Sequence, residues 1–386
     1  MINFGHLVER HGTDSLKYDG AASRGKPADI LPLWVADMDF PAPQVVLDAI
    51  HQRVSHGIFG YSEPSAEYFD ALGNWFTTRF GYEFKPEWVT LAPGVVYAIS
   101  MAIRAFTKRG EAVLIQEPVY YPFRQMVVHN ERELVVNELQ LRGETYSVDF
   151  DDFEKKIADN NVRLFILCSP HNPVSRCWTA EELREMVRIC AKYDVLIFSD
   201  EIHCDFIFKG NTHHALPVIC PEESARIIFC TAPSKTFNLA GLQLSNVFIS
   251  DEGRRKLFVK EVLRSGFSQA GGLAIVACRA AYAYGAEWLE ELNGYLWDNM
   301  MYMDNFLKKN MPAVKLIPPQ ATYLAWLDCR ALGLSPAEMD ERLTKAGLWL
   351  SRGDSFGTGG AGFTRVNVGC PRSTLEECMG RFAKAF

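Results

Sequence analysis

Two periodicities alternate along the chain. Between about residue 89 and residue 250, short runs of consecutive apolar residues ("EAVLIQEP", "RLFILCSP", "VLIFSDE", "ARIIFCT", "LSNVFIS") are separated by stretches whose apolar residues recur every three or four positions. Unbroken apolar runs of this length predict strands buried on both faces, and the intervening pattern predicts helices covering a mostly parallel sheet. In "TAEELREMVRICAKYD", Thr179 followed by Glu182 is a capping-box signature, and Leu183, Met186, Val187 and Cys190 share the face that must meet the sheet. After about residue 286 the pattern changes. A long helical run, "AEWLEELNGYLWDNMMYMDNFLKKN", stops before Pro312 and is followed by "AVKLIPP", "ATYLAWLDC", "GLWLSRG" and "FTRVNVGC", short strands with helix signals between them. The expected fold class is therefore α/β, a large domain with a mostly parallel sheet flanked by helices, joined by the long helix to a smaller α+β domain.

Composition narrows what such a fold acts on. With 386 residues and 48% apolar content, the chain has material for more than one core. Its 40 basic and 47 acidic residues give a net charge of −7 with no dense Lys/Arg block, which argues against nucleic acid or an anionic membrane and for a small-molecule partner. Ten scattered cysteines lack both zinc-site spacing and a disulfide framework and read as reduced thiols. No signal peptide and no apolar run near the ~20 residues of a membrane span is visible, so a cytoplasmic location is expected.

Ligands of open α/β sheets bind at the carboxyl ends of the strands. There, "EAVLIQEP" leads to Tyr120, "RLFILCSP" to His171 and Asn172, "VLIFSDE" to Asp200, Glu201 and His203, and "ARIIFCT" to Ser234 and Lys235. Singly each has an ordinary reading: Asn172 before Pro173 as a turn residue, Asp200 as a cap, Tyr120 as core. Lys235 is harder to pass over, because an ammonium next to a buried strand is costly unless it is paired or neutral. The adjacent His213 and His214 lack ligand spacing, so a zinc hydrolase is set aside and no metal is expected.

The segments "SPHNPVSR", "FSDEIHCDF" and "APSKTFNLAGL" resemble the three signature segments of fold-type-I pyridoxal-phosphate enzymes of the aminotransferase class I/II superfamily. "RHGTDSLKYD", "LPLWVADMDFPAP", "GYSEP" and "GFTRVNVGCPR" narrow the resemblance to the cystathionine β-lyase, or C–S lyase, subgroup, over essentially the whole chain. It implies a large cofactor domain at 47–288 and a small domain built from 1–46 and 289–386. Lys235 would form the Schiff base with pyridoxal 5′-phosphate and then serve as general base and proton donor. Asp200 would pair with the pyridine nitrogen, Asn172 would bond the phenolic oxygen, and Tyr120 would stack on the ring. His203, where many relatives place a tyrosine, would be a cofactor contact or structural support. Gly94 and the amides of Val95 and Val96, with Ser234 and Thr231, would hold the phosphate at a helix N-terminus. Arg365 would grip the substrate carboxylate, with Val35 and Tyr121 nearby. Tyr61 would reach the cofactor phosphate of a neighbouring subunit, which implies a homodimer.

Two positions depart from the family pattern. Gln243 stands where many aminotransferases carry a phosphate-binding arginine, and Ser175 stands where glycine is common, so a positive φ there would carry strain. The activity implied is α,β-elimination of L-cystathionine or related L-cysteine S-conjugates to pyruvate, ammonia and a thiol. Transamination needs the same residues, and a regulatory protein retaining the fold is the alternative from another class.

Overall fold

The computed structural model describes residues 3–386; Met1 and Ile2, at the start of the expected 1–46 segment, lie outside the described residues. Seven strands form the central sheet: β1 (Val89–Ala92), β2 (Ala112–Glu117), β3 (Glu133–Glu138), β4 (Leu164–Cys168), β5 (Leu196–Asp200), β6 (Ile227–Thr231) and β7 (Ser245–Ile249). Their spatial order is β1-β7-β6-β5-β4-β2-β3. Every residue of β2, β4, β6 and β7 is buried, as their unbroken apolar text requires of strands covered on both faces. β7 alone is antiparallel to its neighbours. The connection from β6 to β7 holds only short helical turns at Pro233–Thr236 and Ala240–Leu242, so it folds over the rim of the sheet without a full crossover helix. That rim connection carries Lys235.

Helices α1 (Val95–Phe106) and α2 (Ala180–Lys192) cover the sheet. α1 buries Ala98, Ile99, Ala102 and Ile103. In α2 the capping box forms, with the Glu182 amide donating to Thr179 Oγ1 at 3.2 Å and the Thr179 amide to Glu182 Oε2 at 2.8 Å, and Leu183, Met186, Val187 and Cys190 are buried as their spacing predicts. The long helix α3 (Ala286–Asn310) leads to a four-stranded antiparallel sheet of β8 (Lys315–Leu316), β9 (Leu324–Asp328), β10 (Ser351–Arg352) and β11 (Phe363–Asn367), ordered β8-β9-β11-β10.

The N-terminal segment joins this second unit: Leu31–Pro32 pairs in parallel with Leu348–Trp349, and Trp34 stacks on Trp349 at 4.3 Å. From there it passes over the carboxyl rim of the large sheet. All ten cysteines are unpaired and buried. Among the described residues no helix is long and apolar enough to cross a membrane.

Candidate active site

A cavity of about 190 Å³ opens at the carboxyl ends of the parallel strands. Gly94, Val95 and Val96 wall one side, from the turn between β1 and α1. Tyr120 follows β2, Asn172 follows β4, Asp200 closes β5 and His203 lies just beyond it; Ser234 and Lys235 come from the β6–β7 connection. Sheet register produces this convergence, since Cys168, Asp200 and Cys230 lie side by side on β4, β5 and β6. Residues separated by tens of positions therefore meet because each lies at or just beyond the carboxyl end of its strand.

Lys235 is fixed from both sides. Thr236, the next residue, donates through Oγ1 to Asp205 Oδ2 at 2.8 Å, and Lys235 Nζ donates to the carbonyl of Ala36 at 2.7 Å. Burial brings the Lys235 amine down to about 8; the positive Arg365 adds to this, while Asp37 and Asp200 oppose it. Burial pushes the Asp200 carboxyl up to about 7, against the hydrogen bond its Oδ1 accepts from the Ile202 amide at 3.1 Å. Burial, with the charges of Lys235 and Arg365, takes His203 down to about 3, so its imidazole is neutral at physiological pH. His203 Nδ1 is buried without a hydrogen-bond partner.

Arg365 enters from β11. Its Nη1 donates to Asn172 Oδ1 at 3.1 Å, and its Nη2 donates to the Trp34 carbonyl at 2.7 Å and to Ser351 Oγ at 3.2 Å. The guanidinium lies over the Phe356 ring at 4.9 Å, and burial lowers it to about 10. Its Nε is buried with no partner, and it has no carboxylate partner among the described residues. The Val35 carbonyl accepts from Asn367 Nδ2 at 2.7 Å, which puts Val35 in the segment crossing the rim. Tyr121 is 39% exposed with its ring beside Tyr120, centroids 5.3 Å apart. Tyr61 is 96% exposed and does not line the cavity of its own chain. His171 is turned away from the cavity: its Nε2 is 2.9 Å from the Pro118 carbonyl and its ring meets Trp178 edge-on. His213, set aside as a metal ligand, lies 2.7 Å from the buried Glu201 carboxylate.

Both departures are visible. Gln243 lines the cavity with φ 52°, its Nε2 donating to the Ala240 carbonyl at 3.1 Å. Ser175 has the anticipated positive φ, 57°, and its hydroxyl bonds Ala321 of the second unit.

With this geometry in hand, a model of aminotransferase class I and II matches residues 28–382. The chain belongs to that family. Cystathionine beta-lyase PatB of Bacillus subtilis (strain 168) is 42% identical over 385 residues, covering 100% of both chains. Cystalysin from Treponema denticola, solved with a pyridoxal 5′-phosphate cofactor, superposes with a TM-score of 0.96 at 34% identity, over 100% of this chain and 99% of that one. The PLP-bound C–S lyase from Staphylococcus hominis superposes at 0.94 with 32% identity, over 100% and 98%. These full-length likenesses bear out the expected α/β architecture and family.

The strand ends did not announce the residues of the crossing segment. Ala36 lines the cavity and its carbonyl receives both Lys235 Nζ and, at 2.9 Å, the Tyr323 hydroxyl; Trp34 meets Arg365 through a carbonyl as well. Backbone carbonyls have no residue-type signature. The one available signal was charge, since "RHGTDSLKYD" places Arg10 and Lys17 in one motif and "WVADMDF" places Asp37 and Asp39 in another.

Proposed function

We propose that this protein is a pyridoxal-phosphate-dependent carbon–sulfur β-lyase, releasing a thiol, pyruvate and ammonia from L-cystathionine or a related L-cysteine S-conjugate. The observation that carries the reading is the partly buried Lys235, its amine lowered to about 8, in one cavity with the buried Asp200 carboxyl and beside the Asn172–Arg365 pair. Full-length identity of 42% to a cystathionine β-lyase supports the choice of reaction.

The residues fit the cofactor. Gly94, at φ 95° and ψ 159°, occupies a region open essentially to glycine alone, and α1 begins there with no side-chain cap. The amides of Val95 and Val96, with Ser234, would hold a phosphate at that helix end. Asp200, a carboxyl that burial disfavours as an anion, would hold a ring N–H⁺; Tyr120 would lie against the ring, and Asn172 and His203 at its edge. When bound, pyridoxal phosphate supplies an aldehyde for amine capture and a ring that withdraws electrons from the substrate Cα.

Everything else falls to the chain. A lysine with pKa near 8 keeps a useful fraction of neutral amine at neutral pH, which the attack on the aldehyde requires. With a substrate amino acid held in the cavity, Lys235 Nζ would remove the Cα proton and then serve as the proton donor to the departing sulfur. Arg365, whose Nε lacks a partner, would take the substrate carboxylate in its planar fork and so orient Cα toward Lys235.

Residues 47–288 would form the cofactor-binding unit, and 1–46 with 289–386 the unit that brings Arg365. Ile58, Phe59 and Tyr61 are exposed together, which supports a homodimer in which Tyr61 reaches the partner's phosphate site. Ten unpaired cysteines support a reducing, cytoplasmic setting. The test is pyruvate and thiol release from L-cystathionine, L-cystine and S-alkyl cysteines, run beside keto-acid-dependent amino transfer. Elimination should dominate on at least one thioether. Amino transfer outrunning pyruvate release on all of them would replace the lyase with an aminotransferase.

A further inference from the structure

The segment Trp34–Asp39 crosses the cavity rim with its carbonyls held by side chains. Arg365 takes Trp34, Asn367 takes Val35 (2.7 Å) and Asp37 (2.6 Å), Lys235 and Tyr323 take Ala36, and Asn238 takes Met38 at 2.9 Å. One end of this strap is clamped by ions. Arg10 Nη2 lies 2.7 Å from Asp37 Oδ2 and its Nη1 lies 2.7 Å from Asp39 Oδ1. Lys17, 0% exposed, lies 2.8 Å from Asp39 Oδ2 and 3.9 Å from Asp37 Oδ1. Asp37 Oδ1 is buried and accepts no hydrogen bond, on the residue next to the one whose carbonyl holds Lys235.

We infer that Asp37 is a positioning residue for Lys235: its carboxylate, immobilised by Arg10 and Lys17, provides a fixed negative field that sets how readily the Lys235 amine takes and holds a proton. This rests on the reading of Lys235 as the reactive amine. The charged and titratable groups around that amine are Asp37 and Asp200, which favour the ammonium, Arg365, which disfavours it, and the neutral His203, Tyr120 and Tyr323. Around Asp37 they are Arg10, Lys17 and the Tyr323 hydroxyl, whose ionisation Asp37 helps to suppress. A carboxylate with one oxygen that accepts no hydrogen bond and has a cation no nearer than Lys17 at 3.9 Å suits this task, because a closely bonded one would cancel more of its own field. The arrangement also explains why two separate stretches of sequence, "RHGTDSLKYD" and "LPLWVADMDF", belong together: one supplies the cations that fix the anions of the other.

The test uses full-length protein stripped of cofactor. The rate at which it captures added pyridoxal phosphate, followed by cofactor absorbance, is measured from pH 6 to 10; only neutral amine adds to the aldehyde, so the midpoint tracks Lys235. The cofactor's own titration is common to all variants and cancels in the differences. Asp37→Asn should lower the midpoint by roughly half to one pH unit. Arg10→Met should raise it by a smaller amount, since it bares the carboxylate. Opposite shifts are the signature of a field, whereas a strap that merely needs its clamps would loosen in both variants. An unmoved midpoint in Asp37→Asn, or shifts of the same sign, overturns the inference. If the unaltered protein captures no pyridoxal phosphate at all, the failure lies with the cofactor reading instead.

Discussion

The carboxyl rim of the large sheet and the strap that crosses it contribute to one cavity by opposite means. On the rim, each side chain follows a buried strand, and neighbouring strands in register bring Cys168, Asp200 and Cys230 side by side. The local sequence does the positioning. The strap has almost no secondary structure of its own and is held through its carbonyls by Arg365, Asn367, Lys235 and Tyr323, residues distant along the chain. Side chains aimed at a fixed point sit at the ends of packed strands or in the short turns that follow them, and the segment that joins the two units is held by side chains of both. If that division holds, damage to the rim should remove chemistry at little structural cost, and damage to the strap should act on affinity and stability together.

Lys235→Ala is the sharpest cut at the rim. It removes the proposed nucleophile and base in one step, so pyruvate release should fall by about three orders of magnitude or more while thermal unfolding changes little. The absorbance band that borohydride removes should be missing. Near-normal turnover would end the assignment of Lys235.

Arg365 belongs to both regions, since it touches Asn172 on the rim and Trp34 on the strap. Arg365→Ala should lower kcat/KM for amino acids by roughly 30- to 1000-fold, equivalent to about 2 to 4 kcal/mol for a shielded charge-assisted contact. Lysine there restores charge without the planar fork and should rescue only in part. An S-substituted cysteamine, which lacks the carboxylate, separates the roles. The variant should lose little further activity on it, and an equal loss on both substrates would mean that Arg365 chiefly holds the strap.

Asn367→Ala attacks the strap alone. Its Nδ2 binds the carbonyls of Val35 and Asp37, and its Oδ1 accepts from the Gly369 amide at 2.7 Å. Leaving these groups unmet should cost about 2 to 3 kcal/mol of stability and raise KM about tenfold, with kcat less affected. Urea unfolding and steady-state kinetics report both. A variant as stable as the parent would show that the strap is held elsewhere.

The contrast between the two regions is also the contrast between what could and could not be read from sequence. Lys235, Asp200 and Asn172 were legible because apolar runs end just before them and the sheet does the rest. The direction of β7 was left open by a mostly parallel sheet, because its apolar text does not differ from that of a parallel strand and only the short rim connection turns it back. Ala36, Asn367 and Tyr323 were illegible for a different reason: hydrogen bonds to carbonyls leave no pattern in residue type, and their partners are far away in the chain. The ion clamp lies between these extremes, since its four charges are visible as two motifs whose pairing only the fold reveals.

The smallest effect is expected at Ser175, where the loop beyond β4 meets the second unit. Two contributions oppose each other. A non-glycine residue at φ 57° carries about 1 to 2 kcal/mol of strain that glycine would relieve. Against this, the hydroxyl donates to the Ala321 carbonyl and accepts from the Ala321 amide at 3.3 Å, and Ala321 is fully buried. Losing two buried hydrogen bonds costs about 1 to 3 kcal/mol, and glycine adds a further penalty of about 0.5 to 1 kcal/mol through the unfolded chain. The hydrogen bonds should win narrowly, leaving Ser175→Gly less stable than the parent by about 1 kcal/mol. Ser175→Ala isolates the strain, because it loses the same bonds and keeps the Cβ in the left-handed region; it should fall about 1 kcal/mol below the glycine variant. Melting all three proteins with cofactor saturating gives the order directly. Serine above glycine above alanine means that the hydroxyl is a contact between the two units worth its backbone strain. Glycine above serine would mean that the strain is the larger quantity, and that this junction, unlike the strap, is not held by hydrogen bonds.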